Sequence, residues 1–376
     1  MPGLFTPLKL GSTTLNSRLG MSPMTRNRSS ATVPNEIMRQ YYEQRARGGA
    51  GLIIAEATLI TRQGSEWPNA PGIWNQAQVA GWRRITDSVH AHDTKIYSQL
   101  AHGGRCLHPD APEQIASGQP VWGPSAIAAR GGSFRFLPGN PGFVTPTELD
   151  EANINTIIAQ FKEAAINAKE AGFDGVELHG STGLLVHQFL DSTANQRTDK
   201  WGGSPENRAR FALEVLKALK EVFGSNVALK LGPTSGYNDV GMPLQETIDT
   251  YGYLLREASK LGLAYVVLVR YRSTHDPEFD GKKRGTPHDV VETYGPLLDG
   301  VPLFVNGLVS PTEAEELIQS GKAAGVLMGV PWLTHPDLAR RIQAGKVLDN
   351  VPDVRMFYNS GADPGIGYLD YKEAVY

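Results

Sequence analysis

The segment Gly172–Phe211, GFDGVELHGSTGLLVHQFLDSTANQRTDKWGGSPENRARF, decides how the chain can fold. Its start, Phe173–Leu178, is short, rich in β-forming residues and bounded by glycines, which predicts a buried strand. A helix is predicted to begin after Ser204, because a serine N-cap, a proline at the first helical position and an acid in the first turn all favour initiation there. The segment therefore predicts a strand, a long polar loop and a helix.

Seven further strand-like runs flank this segment, at intervals that leave room for a helix between them. Such alternation is typical of a parallel sheet, and eight strands are the number of an α/β barrel. We therefore predict a (β/α)8 TIM barrel, an α/β fold, formed by a single domain over residues 1–376. The predicted strands are Arg18–Ser22, Leu52–Ala55, Lys95–Leu100, Phe173–Leu178, Asn226–Leu231, Leu263–Val269, Pro302–Val305 and Gly325–Met328.

The helix pattern is clearest at Leu149–Ala171, where apolar residues repeat at helical spacing and a glycine follows. Thr147 and Asp150 approximate a capping box at its start. The rival fold is a doubly wound sheet with a dinucleotide crevice. It is disfavoured because no G-x-G-x-x-G opens a helix after a strand, and Gly49–Gly51 lacks the third glycine.

The segment 103–146 interrupts the alternation after the third predicted strand. It is rich in Gly and Pro and contains short β-like pieces such as Ser133–Leu137. Glycine and proline in such numbers favour irregular, looped structure. We expect a capping insertion that covers the mouth of the barrel, within the same domain.

The composition of the chain excludes several classes of function. A net charge of −3 over 376 residues leaves no basic surface of the kind that nucleic acid requires. One cysteine, Cys106, excludes an internal disulfide framework and indicates a reducing compartment. No apolar run approaches a membrane span, and the first residues carry no apolar leader. We expect a cytoplasmic protein, monomeric or homodimeric, that acts on a small molecule.

The ends of the predicted strands carry the residues that can perform chemistry, as in other barrel enzymes. His179 ends the fourth strand and Gln99 lies at the end of the third. Lys230, in the fifth, is predicted to be buried, and an unpaired buried lysine is costly enough to indicate a function. No histidine or cysteine pattern at metal-ligand spacing is present, so no metal site is predicted.

The opening segment resembles the Old Yellow Enzyme family of flavin-dependent ene-reductases, whose matching segment has the form GVEIHGANGYLxxQF followed by DxYGGSxENRxRF. Trp201–Ser204 and Glu206–Phe211 follow the second part closely. The first part departs from it. Thr182 stands where the family has asparagine, and Leu184 stands where it has the tyrosine that donates a proton.

The resemblance implies an FMN site at the strand ends. Pro23 and Thr25 match the family's P-x-T, in which the threonine hydroxyl contacts the flavin and tunes its potential. Ala57 corresponds to a residue whose backbone N–H meets flavin O4. Gln99 corresponds to the glutamine that pairs with the flavin pyrimidine, and Lys230 to an arginine that stabilises the charge of the reduced ring.

The phosphate end of the cofactor is implied at the last two strands. Asn306 and Gly307 resemble the family's AGG, and Gly329 and Val330 its GRPF, so the backbone cradle is kept. Val330 replaces the family's phosphate-binding arginine. We therefore expect FMN to be bound but held less tightly. Tyr358, with the C-terminal aromatic region, is implied at the dimethyl edge of the flavin or at the substrate mouth.

The same resemblance assigns the substrate site. His179 and Thr182 would bind the substrate oxygen, and Leu184 would line the pocket without donating a proton. The proton would come from water, from Tyr271 or Tyr237, or would not be needed. Three functions remain: an FMN-dependent reductase of electron-poor alkenes that uses NAD(P)H, an isomerase or cyclase of secondary metabolism with little or no net redox chemistry, and a non-catalytic binding protein.

Overall fold

The computed structural model describes residues 1–65, 67–358 and 363–376, and its centre is a closed barrel of eight parallel strands. Each strand pairs with its neighbours along the chain, and the last pairs with the first. The predicted α/β barrel is therefore confirmed. The strands are β1 (Leu19–Met21), β2 (Leu52–Leu59), β3 (Lys95–Ala101), β4 (Gly175–Gly180), β5 (Val227–Leu231), β6 (Tyr265–Val269), β7 (Leu303–Asn306) and β8 (Gly325–Met328).

All eight predicted strands are present, with ends that differ by a few residues. β2 continues past Ala55, because its pairing with β3 resumes at Thr58 after a bulge. β4 begins later than predicted. The reason is that the Phe173 N–H still donates to the Ala168 carbonyl, 3.1 Å away, and so belongs to the end of the preceding helix.

Helices surround the barrel. Their apolar faces and the outer faces of the strands form the main core, and a second core of inward-facing residues fills the barrel. Within the described residues, no helix is both long and apolar enough to cross a membrane. The α-helices are α1 (Glu36–Arg47), α2 (Gln76–His90), α3 (Pro112–Ser117), α4 (Glu151–Glu170), α5 (Leu185–Leu190), α6 (Pro205–Phe223), α7 (Leu244–Lys260), α8 (Val290–Tyr294), α9 (Pro311–Gln319), α10 (Val330–Thr334) and α11 (Leu338–Gln343).

The two helix starts predicted from sequence have different outcomes. Ser204 caps α6 as predicted, since its Oγ accepts from the Asn207 N–H at 3.3 Å. The capping box before α4 is wrong. Asp150 itself is the N-cap and accepts from the Asn153 N–H at 2.7 Å, while Thr147 lies in a short strand.

The segment 103–146 holds α3 and one strand of a small two-stranded sheet, Trp122–Gly123 with Thr147–Glu148. The β-like piece Ser133–Leu137 is not a strand; its backbone forms a turn, in which Leu137 donates to the Phe134 carbonyl. Phe136 packs edge-on against Trp67, with ring centroids 4.8 Å apart. That the segment covers the barrel mouth stays a prediction.

Two antiparallel hairpins complete the fold. One precedes β1 and contributes Leu10 and Leu15 to the core inside the barrel. The other follows β6 and lies close to the loop after β5, where Gly236 approaches the chain at Arg284. The hairpin strands are Leu8–Leu10 with Thr13–Leu15, and Glu278–Phe279 with Lys282–Lys283.

The C-terminal segment is held against the loop that follows β1. The Arg26 guanidinium donates to the Gly367 carbonyl at 2.6 Å and to the Phe357 carbonyl at 3.1 Å. Tyr368 is fully buried and stacks on Tyr41, with ring centroids 4.1 Å apart. Buried arginine contacts of this kind fix the position of the neighbouring chain on both sides.

Candidate active site

A cavity of about 540 Å³ lies at the carboxyl ends of the barrel strands. Barrel enzymes have their active sites at this end, and the volume is in the range of small-molecule sites. Every residue predicted for the site except Tyr271 lines this cavity. These residues are Pro23, Thr25, Ala57, Gln99, His179, Thr182, Leu184, Lys230, Asn306, Gly307, Gly329, Val330 and Tyr358.

Gln99 is 2% exposed and contacts a carboxyl group inside the barrel. Its Nε2 donates to Oε1 of Glu177, 2.8 Å away, and Glu177 is fully buried. Burial raises the pKa of Glu177, and the charge of Lys230 opposes that rise. Because one amide hydrogen is engaged, the second N–H and the carbonyl oxygen of Gln99 are the functions available to a ligand in the cavity.

Lys230 begins a hydrogen-bond chain that crosses the floor of the cavity. Its Nζ donates to Oγ of Ser22 at 3.0 Å, and that hydroxyl is 3.4 Å from Oδ1 of Asn306. The Asn306 amide in turn donates to the Leu327 carbonyl at 2.7 Å. Burial lowers the pKa of Lys230 while Glu177 counteracts the shift. This series of hydrogen bonds fixes the ammonium group at the cavity surface through contacts with residues of β7 and β8 and with Ser22, directly after β1.

His179 is a neutral ring with a defined tautomer. Burial first, and then the charges of Lys230 and His187, lower its pKa to about 3. The Ser181 backbone N–H lies 3.3 Å from Nδ1 and can only donate, so Nδ1 is the acceptor and Nε2 carries the hydrogen. The Thr182 hydroxyl oxygen is 3.4 Å from Nε2. The ring therefore presents an N–H donor beside a hydroxyl.

Thr182 and Leu184 lie on the tight turn between β4 and α5. Thr182 has φ of 55°, a left-handed conformation that β-branched residues rarely adopt. The turn is held by the Asn238 side chain, which donates to the Thr182 carbonyl at 2.8 Å. Leu184 packs in an apolar cluster with Cys106 and presents no proton donor to the cavity.

The ends of β1 and β2 form one wall of the cavity. Ala57 lies in the bulge of β2, where ladder pairing is interrupted, and bulges of this kind often redirect the chain next to active sites. The preceding residue, Glu56, accepts from the Arg26 backbone N–H and from the Tyr42 hydroxyl. Burial raises the pKa of Glu56 to about 7. This contact joins the loop carrying Thr25 to the bulge.

The loops after β7 and β8 form the opposite wall. Gly307 has φ of 112°, and a Cβ there would lie 3.3 Å from the Cβ of Arg270, so a larger residue is disfavoured for two reasons. At Gly329 a Cβ would lie 3.1 Å from the Met24 sulfur. Val330 begins α10 without a charge. The backbone can therefore approach a ligand closely at both loops.

Tyr271, one of the alternative proton sources considered from the sequence, is not among the residues that line the cavity. Its hydroxyl donates to Oδ2 of Asp276 at 2.8 Å, and this hydrogen bond raises the pKa of Tyr271. The side chain follows β6 but turns towards its own hairpin. Tyr237, the other tyrosine considered from the sequence, does line the cavity.

Sequence reasoning missed several residues of the cavity. Ser22 directly precedes the P-x-T motif and could have been noticed as a strand-end hydroxyl. Trp67 stacks on Tyr358, with ring centroids 4.8 Å apart, and no sequence pattern indicated this contact. Arg272 and His275 follow β6 and also line the cavity. The described lining residues include two basic side chains, Lys230 and Arg272, and no aspartate or glutamate.

A model of the NADH:flavin oxidoreductase / NADH oxidase family matches residues 3–349. The chain belongs to this family. Chanoclavine-I aldehyde reductase fgaOx3 of Penicillium roqueforti (strain FM164) is 38% identical over 375 residues, which are 99% of this chain and 96% of the relative. A probable inactive reductase, easA of Epichloe festucae var. lolii, is 37% identical over 376 residues and covers 98% and 94%. The solved structure of morphinone reductase superposes with a TM-score of 0.88 at 37% identity, covering 99% and 96%.

The resemblance to the Old Yellow Enzyme family is thereby confirmed. Members of the NADH:flavin oxidoreductase family work with FMN and NAD(P)H, and this chain is an FMN-dependent oxidoreductase. Its cavity fits the cofactor. One amide with a free donor and acceptor, one buried ammonium group and two glycine loops line the same space, and together they match the pyrimidine edge, the reduced-ring charge and the phosphate end.

Proposed function

We propose that the protein reduces the carbon–carbon double bond of an α,β-unsaturated aldehyde or ketone. The observation that carries the proposal is the placement of His179 and Thr182 in the same cavity as Gln99 and Lys230. The first pair, His179 and Thr182, suits a substrate oxygen, and the second pair, Gln99 and Lys230, suits a flavin ring. Relatives named as aldehyde and alkene reductases support this substrate class.

His179 and Thr182 would bind the carbonyl oxygen of the substrate. His179 Nε2 and the Thr182 hydroxyl oxygen contact each other at 3.4 Å, and a substrate oxygen placed beside them would replace this long contact with a hydrogen bond from each group. Donors aimed at an oxygen that gains negative charge stabilise the transition state more than the ground state. A neutral donor at position 179 also keeps this function across the physiological pH range, since its pKa is about 3.

Gln99 and Lys230 would hold the pyrimidine side of the cofactor, with Thr25 and Ala57 on the neighbouring wall. FMN held there would supply the hydride chemistry between NAD(P)H and the β-carbon of the alkene. Lys230 stabilises the negative charge that reduction places near it. Trp67 and Tyr358 stack at the mouth and would exclude water from the apolar part of the substrate.

The proton that completes the reduction would come from outside position 184. Leu184 cannot donate one, and Tyr271 points away from the cavity. Tyr237 lines the cavity and is 46% exposed, so it can exchange protons with solvent. We propose that Tyr237 or a water beside it is the donor, at a slower rate than a fully positioned acid would allow.

A second function retains one supporting observation. Without a donor at position 184, the cavity could orient a polyene or enone for isomerisation or cyclisation, and one relative is named as a probable inactive reductase. The reductase remains the better supported of the two, because the cavity keeps the amide, the ammonium group and the imidazole together. The two functions differ in whether NAD(P)H is consumed in proportion to product.

Three further proposals concern the whole molecule. The segment 103–146 would cap the barrel within a single domain, since its Phe136 contacts Trp67 at the cavity wall. The protein would act in the cytoplasm, which fits its one cysteine, Cys106, being buried and outside any disulfide. It would work as a monomer or homodimer.

The test measures NADPH oxidation and product formation with 2-cyclohexenone and cinnamaldehyde under anaerobic conditions. The proposal predicts one equivalent of saturated product per NADPH. His179→Ala should lower the rate of flavin reoxidation by the alkene at least about 10²-fold, as expected for loss of an oxyanion donor, and leave flavin reduction by NADPH within a few-fold. His92→Ala, near the opposite end of the barrel, is the matched control. Product without NADPH consumption would favour the second function.

A further inference from the structure

Arg272 stands out among the charged residues of the cavity because no described residue forms a hydrogen bond or ion pair with its side chain. Lys230 contacts Ser22 and lies near Glu177, whereas the Arg272 side chain makes no hydrogen bond or ion pair within the described residues. Its Nε is buried and has no hydrogen-bond partner in the part of the chain that the structure describes. Arg272 as a whole is half-buried, but a buried donor atom left unsatisfied in a native fold calls for a ligand, an ion or a water.

The position of Arg272 relates it to the loops after β7 and β8. β6 pairs with β7, and the Arg270 N–H donates to the Asn306 carbonyl at 2.8 Å. Arg272 follows two residues later and lines the cavity together with Gly307–Ser310 from the next loop. Barrels commonly bind phosphate on the loops after strands seven and eight. Arg272 is thus on the side of the cavity where those loops lie.

Apart from Arg272, no positively charged residue is found among the described residues where the loops after β7 and β8 line the cavity. Gly307–Ser310 and Gly329–Pro331 contain no charged residue, and no aspartate or glutamate is among the described residues that line the cavity. The neighbouring Arg270 is already paired with Glu313 and does not line the cavity. An anion bound at the glycine loops would therefore find its positive partner in Arg272.

We propose that Arg272 binds the phosphate group of FMN and supplies the charge that Val330 does not. The proposal rests on the FMN-dependent function given above. A hydrogen bond to a charged group contributes about 1.5–3 kcal/mol, so the loss of Arg272 should weaken FMN binding about 10- to 150-fold. Riboflavin lacks the phosphate, and its affinity should stay within about twofold.

The experiment measures FMN and riboflavin dissociation constants by flavin fluorescence for the wild type and for Arg272→Gln. Arg270→Gln removes a cation from the same strand end but outside the cavity, and should change neither constant by more than a few-fold. Arg272→Lys should bind FMN more tightly than Arg272→Gln. Adding Val330→Arg to Arg272→Gln should restore much of the FMN affinity. If Arg272→Gln does not fold, the lysine variant and the Val330→Arg single variant, which should bind FMN more tightly than the wild type, still test the charge.

Two results would overturn the proposal. Equal losses for FMN and riboflavin would assign Arg272 a structural role. Unchanged FMN affinity together with a raised KM for NADPH, or for an anionic substrate, would place another anion at Arg272. Failure of the wild type to bind either flavin would instead contradict the FMN-dependent function itself.

Discussion

Gln99 and Glu177 face each other across β3 and β4 and are joined by a hydrogen bond of 2.8 Å. The two residues are register partners in the barrel, so the backbone holds them opposite each other. A carboxyl oxygen beside the amide selects the orientation in which Nε2, not Oε1, points to Glu177. The fully buried Glu177 therefore positions the group that is expected to recognise the flavin pyrimidine.

The first prediction concerns this contact. Glu177→Gln should weaken FMN binding about 10-fold, because an amide at 177 accepts a hydrogen bond less strongly and permits the flipped orientation of Gln99. It should also change the midpoint potential of the flavin, because an amide at 177 is neutral at every pH whereas the Glu177 carboxyl beside Lys230 can ionise. Redox titration and flavin fluorescence measure both effects. Glu170→Gln, on the exposed end of α4, is the control, and an unchanged midpoint potential with unchanged affinity would contradict the positioning role.

The second prediction concerns the missing proton donor. Leu184→Tyr should raise the rate of alkene reduction by about 10² or more, because a positioned general acid contributes on that order. Leu184→Phe fills the same volume in the apolar cluster without a hydroxyl and is the matched control. Single-turnover reoxidation of the reduced protein by 2-cyclohexenone measures the step. Equal rates for the two variants would show that proton delivery does not limit the reaction.

The third prediction concerns the backbone at Thr182. Its φ of 55° is strained for a β-branched residue, whereas asparagine tolerates this conformation. Thr182→Asn should therefore stabilise the fold by about 1 kcal/mol and raise Tm by about 1–2 °C. Thr182→Val keeps the branch, loses the hydroxyl and should give no gain. A lower Tm for the asparagine variant than for the valine variant would refute the strain argument.

The fourth prediction concerns acid stability. Burial lowers the pKa of His102 to about 3, of His179 to about 3 and of His187 to about 4, so the unfolded chain binds protons that the folded chain does not as pH falls below about 6.5. These residues stabilise the fold above pH 6.5 and lose that contribution on acidification. Glu56, with its pKa raised to about 7, acts in the opposite direction, as does Glu177.

The three histidine shifts outweigh the opposing carboxyl shifts, so stability should fall between pH 6.5 and pH 4.5. Urea unfolding at several pH values measures the slope. His187→Gln should reduce that slope by about one proton, or about 1.4 kcal/mol per pH unit. A protein that becomes more stable over this interval would contradict the assigned shifts.

The sequence was sufficient to predict the barrel, because the alternation of strands and helices depends on local residue patterns. It was also sufficient for Gln99, His179 and Lys230, since each lies at the end of a strand that the same pattern locates. It did not indicate the bulge of β2 that presents Ala57. Bulges arise from pairing between two strands, which no single strand's pattern records.

Tyr271 and Arg272 show most clearly what the sequence alone could not predict. They are adjacent and follow the same strand, yet Tyr271 donates to Asp276 while Arg272 lines the cavity. Side-chain direction in an irregular loop depends on contacts with distant residues. The same is true of Glu177, whose partner lies 78 positions away along the chain. Contacts of this kind can be identified only from a three-dimensional structure.

The central claim is that one cavity holds FMN and a conjugated carbonyl compound together. The most direct measurement is the visible absorbance spectrum of the purified protein, recorded before and after anaerobic NADPH and again after 2-cyclohexenone. The account predicts a flavin band that bleaches with NADPH and returns with the enone. A protein without flavin absorbance that also fails to bind added FMN would contradict it.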